Sequence, residues 1–157
     1  MPITVGTKAP DFTLPDTDKK LRSLKEFSGK SIALVFFPGA FTGVCTKEMC
    51  AIRDSLANFN STNTQVVGIS VDSPFANKGF ATQNNLSFPL LSDYGRSVSM
   101  QYCGVYDDFG GLAGYTTAKR SVFIIDKSGV VRYAWISENP GTEPDYGAVQ
   151  QAVSSIK

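Results

Sequence analysis

The pattern of apolar and polar residues first marks out the strands. Largely apolar runs at residues 31–37 and 65–71 predict buried strands, because a strand covered on both faces loses the alternation of a half-exposed one. Residues 121–126 and 130–136 predict a hairpin that turns at residues 127–129. The shorter elements that we expect are an extended piece at 88–91, a helix at 97–102 and a loop rich in glycine and aspartate at 106–115.

Three longer segments carry the signals of helices. Residues 43–60 and 145–156 have apolar positions at helical spacing, and residues 74–85 follow Ser73 as a capping residue and Pro74 at the first helical position. The order is strand, helix, strand, helix, and then two antiparallel strands and a helix. This order predicts an α/β fold with a mixed central sheet flanked by helices.

Length and charge narrow the class of protein. A chain of 157 residues with 42% apolar content fits one compact domain spanning residues 1–157. Because 15 Lys and Arg face 14 Asp and Glu, the charge gives no reason to expect nucleic acid or a membrane surface as a partner. The chain shows no apolar run of about 18 residues and no secretory signal, so we expect a soluble cytoplasmic protein.

The chemistry is limited by the absence of histidine from the whole chain. Its absence excludes Ser-His-Asp hydrolases, Cys-His proteases and most zinc sites. The chain has three cysteines, Cys45, Cys50 and Cys103, and an odd number argues against a framework of structural disulfides. Cysteine is the strongest nucleophile near neutral pH among the residue types that remain.

Cys45 lies where a predicted strand leads into a predicted helix, the usual place for chemistry in open α/β sheets. With Thr42 as the N-cap, Cys45 is the third helical residue, where free N–H groups and the helix dipole lower a thiol pKa. At about 100° per residue, the apolar stripe below Cys45 falls within roughly 40° of it. The stripe consists of Met49, Ile52, Leu56 and Phe59. A plain buried cysteine is the alternative.

The segment 38–45, Pro-Gly-Ala-Phe-Thr-Gly-Val-Cys, matches the pattern Pro-x-x-x-Thr-x-x-Cys. Through it the chain resembles the peroxiredoxins of the AhpC/TSA family, most closely the bacterioferritin comigratory protein and AhpE-like branch. Further similar segments are residues 6–14, 68–72, 88–93 and 120–126. The order of elements is also that of a thioredoxin-like fold, with an extra N-terminal β-hairpin near residues 11–21.

The resemblance implies a role for each residue of the site. Cys45 would attack a peroxide oxygen as a thiolate and become a sulfenic acid. Thr42 would hydrogen-bond the thiolate and the peroxide, Pro38 would shield the sulfur, and Arg120 would favour the thiolate by its charge. Glu48 matches a position that orients the arginine. Surface positions for Arg120 and Glu48 are the alternatives, and no metal or organic cofactor is needed.

Cys50 has the spacing of relatives that form a disulfide within one helix. Helix geometry leaves Cys50 about 140° from Cys45 with the Cα atoms about 8–9 Å apart. A disulfide spans no more than about 7 Å between Cα atoms, so the first helical turns must unwind for the bond to form. Cys103 is the rival resolving cysteine, and a one-cysteine cycle that uses an external thiol is the third route.

The expected substrates are hydrogen peroxide and small organic hydroperoxides, and the expected reductant is a thioredoxin-like dithiol protein. The resemblance also suggests a homodimer in which Phe41 touches the partner. Two other functions stay open. One is a thioredoxin-like disulfide oxidoreductase, although this chain lacks the Cys-x-x-Cys pair that such enzymes use. The other is a binding or chaperone module, which would use the fold without thiol chemistry.

Overall fold

The structure is a computed structural model that describes residues 3–156. Its strands are β1 (Thr13–Pro15), β2 (Leu21–Ser23), β3 (Ser31–Phe36), β4 (Thr64–Ser70), β5 (Leu90–Ser92), β6 (Val105–Tyr106), β7 (Thr117–Ala118), β8 (Ser121–Ile125) and β9 (Val131–Ile136). Its helices are α1 (Gly43–Asp54), α2 (Leu56–Ser61), α3 (Pro74–Gln83), α4 (Ser97–Tyr102) and α5 (Tyr146–Ser155). Short 3₁₀ turns occupy Leu24–Phe27 and Phe109–Gly111. None of the helices within residues 3–156 is long and apolar enough to cross a membrane.

A five-stranded mixed sheet in the order β5-β4-β3-β8-β9 forms the centre of the molecule. The strands β3, β4 and β5 are parallel, whereas β8 is antiparallel to both β3 and β9. The predicted N-terminal hairpin is present as the antiparallel pair β1 and β2. The predicted α/β fold with a mixed sheet is therefore confirmed.

The two faces of the sheet support two separate apolar cores. Leu34 and Phe36 of β3 point into one core, which contains Tyr102 and Cys103 at the end of α4. Ala33 and Val35 point into the other core, beneath the helices α1, α3 and α5. Because successive side chains of a strand alternate between faces, the continuous apolar run of β3 fills both cores at once.

The predicted helix at residues 43–60 is wrong in one respect, because the structure divides it into α1 and α2. Ser55 separates them with φ −98° and ψ 5°, which is outside the helical range. Phe59 still reaches the core on the new helix, whereas Leu56 is only half-buried. No proline or glycine marks the break, and the apolar period alone continues through it.

Most other elements end within one or two residues of their predicted positions. The predicted cap of α3 is confirmed, since the Ser73 side chain accepts a hydrogen bond from the Ala76 N–H. The glycine-rich segment 106–115 is less of a plain loop than predicted. It begins in β6, which pairs with β7, and contains the second 3₁₀ turn.

Candidate active site

The candidate site lies at one edge of the central sheet, where three strand ends meet. The chain leaves β3 at Phe37, and Pro38 follows, buried and without an N–H to continue the ladder. Asp72 follows the end of the parallel strand β4. Arg120 precedes β8, and Ser121 pairs with Phe36. The antiparallel register thus places the start of β8 at the same edge as the end of β3.

The loop between β3 and α1 is held by the neighbouring strand. The Ala40 N–H donates a hydrogen bond to Asp72 Oδ2 at 2.8 Å. The next residue, Phe41, has a φ of 66°, in the left-handed region that costs energy for a bulky side chain. Its ring packs edge to face on Phe80 of α3. The carboxylate and the aromatic contact together hold the strained turn that leads into α1.

Thr42 occupies the predicted N-cap position of α1, with an extended backbone at φ −84° and ψ 152°. The predicted side-chain cap is wrong, since the hydroxyl makes no bond to the helix N–H groups. Instead Oγ1 donates to the carbonyl of Gly39 at 2.7 Å, and the Thr42 side chain acts to lower the pKa of the Cys45 thiol against the rise that burial causes. The hydroxyl therefore bonds the loop before α1 rather than the N–H groups of the helix.

Cys45 is the third residue of α1 and is fully buried, at 0% exposure. Met49, Ile52 and Phe59 are buried in the same core, as the stripe predicted. The sulfur is nevertheless not in purely apolar surroundings. Arg120 Nη2 donates to Cys45 Sγ at 3.2 Å, which makes this thiol more than a small buried side chain.

Arg120 is among the largest fully buried side chains of the described residues, at 1% exposure. Its other donors are also paired: Nη1 bonds Glu48 Oε1 at 2.7 Å, while Nε and Nη2 bond the Pro140 carbonyl at 3.0 and 2.8 Å. A guanidinium presents its donors in a rigid fork. Three acceptors around that fork fix its direction toward Cys45, and the surface alternative for Arg120 is wrong.

Glu48 lies three residues after Cys45, so both side chains leave α1 on one face. Its exposure is 0%, which also excludes the surface alternative. Only Oε1 reaches Arg120, and among the described residues Oε2 has no hydrogen-bond partner. Burial raises the pKa of the Glu48 carboxyl to about 7, against the lowering effect of Arg120, and Glu143 adds to the rise.

Burial also raises the pKa of the Cys45 thiol. The charge of Arg120 opposes this rise most strongly, followed by hydrogen bonds from the Thr42 side chain and the Gly39 backbone. The prediction of a lowered pKa is therefore wrong for this conformation. It considered the helix N-terminus and not the cost of removing a thiolate from water.

The sequence profile of the AhpC/TSA family matches residues 5–134. The chain belongs to the AhpC/TSA family, the peroxiredoxins. It is 38% identical over 157 residues to alkyl hydroperoxide reductase E of Mycobacterium tuberculosis, covering 98% of both chains. It is also 40% identical over 133 residues to the chloroplastic peroxiredoxin Q of Triticum aestivum, covering 85% of this chain and 59% of that protein.

Solved structures agree with this family. The crystal structure of peroxidoxin BcpB from Mycobacterium tuberculosis matches with a TM-score of 0.85 and 32% identity, over 98% of this chain and 97% of that one. The reduced 2-Cys peroxiredoxin of Plasmodium vivax matches with a TM-score of 0.83 and 26% identity, over 98% and 82%. The resemblance, the thioredoxin-like fold and the class of enzyme predicted from the sequence are confirmed, and this peroxiredoxin is a peroxidase.

The other two cysteines of this peroxiredoxin lie in different surroundings. Cys50 is half-buried on α1, and its Sγ lies 3.6 Å from Asn84 Oδ1 at the end of α3. Cys103 is buried in the core on the opposite face of the sheet, where burial raises its pKa to about 12. All three thiols are free. The sheet separates Cys103 from Cys45, whereas Cys50 shares its helix.

Sequence reasoning missed three groups that hold the site of this peroxiredoxin. They are the Asp72 carboxylate, the Pro140 carbonyl and the Tyr106 hydroxyl, which accepts from the Arg120 N–H at 3.2 Å. Asp72 was detectable, because it follows a parallel strand at the same sheet edge. No sequence signal marks the others. No group of three or more His, Cys, Asp or Glu side chains that could hold a metal occurs between residues 3 and 156.

Proposed function

We propose that this peroxiredoxin reduces hydrogen peroxide and organic hydroperoxides through a sulfenic acid at Cys45. The observation that carries the proposal is the contact between Arg120 Nη2 and Cys45 Sγ at 3.2 Å, in full burial. The positive charge of Arg120, which also pairs with Glu48, attracts the sulfur only when Cys45 is a thiolate. The contact therefore favours the thiolate over the neutral thiol. An inert core cysteine gives no reason to keep an arginine beside it.

The reaction balances without a cofactor. The thiol releases its proton, and the thiolate forms an S–O bond to one oxygen of the hydroperoxide as the O–O bond breaks. The leaving oxygen takes up one proton, which balances the proton that the thiol released, and departs as water or an alcohol. In our proposal the Thr42 hydroxyl, which now bonds the Gly39 carbonyl at 2.7 Å, turns its proton to the reacting oxygens. Arg120 stabilises the charge that moves from sulfur to oxygen, Glu48 orients Arg120, and Pro38 limits the entry of water.

The sulfenic acid is resolved by Cys50 in our proposal, which forms an S–S bond and releases water. Both cysteines belong to the continuous helix α1, and helix geometry keeps their Cα atoms about 8–9 Å apart. Because a disulfide needs a separation below about 7 Å, the start of α1 must unwind. A thioredoxin-like dithiol protein then returns both thiols to the reduced form.

Treatment with one equivalent of hydrogen peroxide, followed by mass spectrometry of the peptides, tests this route. We expect wild type and Cys103→Ser to give a disulfide between Cys45 and Cys50. We expect Cys50→Ser to stop at a sulfenic acid that dimedone traps, and Cys45→Ser not to react. An unchanged intramolecular disulfide in Cys50→Ser would falsify the role of Cys50. A trapped sulfenic acid in wild type would show the one-cysteine cycle instead.

The rival function as a binding or chaperone module is separated by rate. We expect stopped-flow mixing with peroxide to show a reaction far faster than that of a free cysteine, and Cys45→Ser to abolish it. Slow oxidation in wild type would favour the rival module.

A cytoplasmic location and a homodimer are further parts of the proposal. Phe41, at 53% exposure, suits a partner contact. Comparing the sedimentation of Phe41→Ala with that of wild type measures whether this side chain contributes to a dimer.

A further inference from the structure

The hydrogen-bond ladder between β8 and β9 is interrupted at its end by a side chain. Arg120 and Ser137 follow the pair Ser121 and Ile136 in the antiparallel register. The Ser137 N–H donates to the Arg120 carbonyl at 2.9 Å. A hydrogen-bonded antiparallel pair normally exchanges a second bond in the opposite direction. Here the Arg120 N–H donates to the Tyr106 hydroxyl at 3.2 Å, and that hydroxyl donates to the Ser137 carbonyl at 2.6 Å.

The inserted hydroxyl therefore sets the separation of two chain segments that both hold the Arg120 side chain. One segment is the backbone of Arg120 itself. The other begins at Ser137, whose Oγ donates to the Asn139 carbonyl at 2.6 Å and accepts the Asn139 N–H at 3.1 Å. The next residue is Pro140, whose carbonyl accepts from Arg120 Nε and Nη2. A change in this separation moves the carbonyl relative to the guanidinium.

Tyr106 is itself well fixed. Its side chain is buried at 8% exposure, and its ring stacks on Phe109 with the centroids 6.3 Å apart. Its backbone pairs with Thr117 in the short ladder of β6 and β7. The hydroxyl thus reaches the end of the β8–β9 ladder from a separate, anchored strand.

We propose that Tyr106 is a positioning residue for the peroxidase reaction, whose hydroxyl holds the Arg120 guanidinium in place beside Cys45. The inference rests on the proposed roles of Cys45 and Arg120. Removal of the hydroxyl leaves two buried backbone groups without a partner. They either stay unpaired or close up into the direct ladder bond. In both cases the hydroxyl no longer sets the separation of the two segments, so the Arg120 guanidinium is no longer held in its present alignment with the sulfur.

Tyr106→Phe tests the inference, because it keeps the ring and removes only the oxygen. The matched control is Tyr102→Phe, since Tyr102 is also buried and its hydroxyl donates to the Pro10 carbonyl, in the core on the other face of the sheet. The readout is the pH dependence of Cys45 alkylation by iodoacetamide, followed by mass spectrometry of the Cys45 peptide. The rate with hydrogen peroxide is measured alongside.

We expect Tyr106→Phe to raise the pKa of Cys45 and to slow its alkylation and peroxide oxidation at neutral pH about fivefold, the effect of one hydrogen bond. The control should lose similar stability, yet keep both Cys45 rates within about twofold of wild type. Identical Cys45 titration curves in wild type and both variants would overturn the role of Tyr106 while the proposed function stands. If wild type reacts slowly with peroxide, the proposed function fails, and the alkylation curves still decide the role of Tyr106.

Discussion

Replacement of Arg120 by glutamine gives the most direct test of the proposal that this arginine favours a thiolate at Cys45. Arg120→Gln removes the charge that lies 3.2 Å from Cys45 Sγ at its nearest nitrogen. Because the guanidinium spreads its charge, an effective separation of about 4 Å is appropriate. At an effective dielectric constant of about 20, the attraction is then about 4 kcal/mol, which corresponds to about three pKa units.

The net effect is smaller, because Arg120 is shared with Glu48. When it is ionised, the Glu48 carboxylate, 2.7 Å from Nη1, offsets part of the positive charge that the thiolate experiences. We therefore expect Arg120→Gln to raise the pKa of Cys45 by about two units. Since each unit is a tenfold change in the thiolate fraction, the peroxide rate at neutral pH should fall about a hundredfold.

The assay is stopped-flow mixing with hydrogen peroxide across a range of pH. The single tryptophan, Trp135, is a suitable probe, because it packs against the core that contains Cys45. Arg132→Gln is the matched control, since Arg132 pairs with Asp126 at 2.7 Å but is 52% exposed. Arg120→Gln combined with Glu48→Gln avoids leaving a buried carboxylate unpaired. A Cys45 titration unchanged in both Arg120 variants would refute the electrostatic argument.

Three further substitutions follow from the same geometry. Glu48→Gln keeps an acceptor for Arg120 but removes a carboxyl group whose pKa burial raises to about 7. Because ionised Glu48 opposes the thiolate, the pKa of Cys45 should fall by about one unit in iodoacetamide titrations of this variant. Between about pH 4.3 and about 7 the folded protein keeps a proton on Glu48 that the unfolded chain has released. The free energy of unfolding therefore decreases as pH rises across this window, and urea unfolding of Glu48→Gln should lack this decrease. Asp72→Ala frees the Ala40 N–H and should slow the peroxide reaction about fivefold in stopped flow. Cys103→Ala removes a buried sulfur and should cost about 1–2 kcal/mol in urea unfolding, with the peroxide products unchanged.

The sequence predicts the central sheet well for a physical reason. The runs at residues 31–37 and 65–71 are largely apolar, with Ser31, Gln65 and Ser70 as the polar exceptions, because β3 and β4 are covered on both faces. The break at Ser55 escapes prediction for the opposite reason. It changes the backbone at one residue while Phe59 still reaches the core, so the apolar period carries no trace of it.

The residues of the candidate site likewise differ in whether the sequence can predict them. Cys45, Thr42 and Pro38 lie within one segment, so a local pattern is enough to select them. Arg120 is 75 residues from Cys45 along the chain, and only the resemblance to a family brings the two together. Tyr106 and the Pro140 carbonyl act through backbone groups. A backbone carbonyl is present at every residue, so no side-chain pattern can identify it.

The placement of Cys45 and Glu48 on one helical turn couples the two halves of the proposed cycle. Glu48 holds Arg120 only while α1 keeps Cys45 and Glu48 on the same face. Attack by Cys50 requires those same turns to unwind. In the proposed cycle, the disulfide form would therefore lose the contact between Arg120 and Cys45, and with it the geometry proposed for the reaction with peroxide. In that cycle, reduction of the disulfide restores the helix and the guanidinium contact together, so each turnover would include the refolding of the active site.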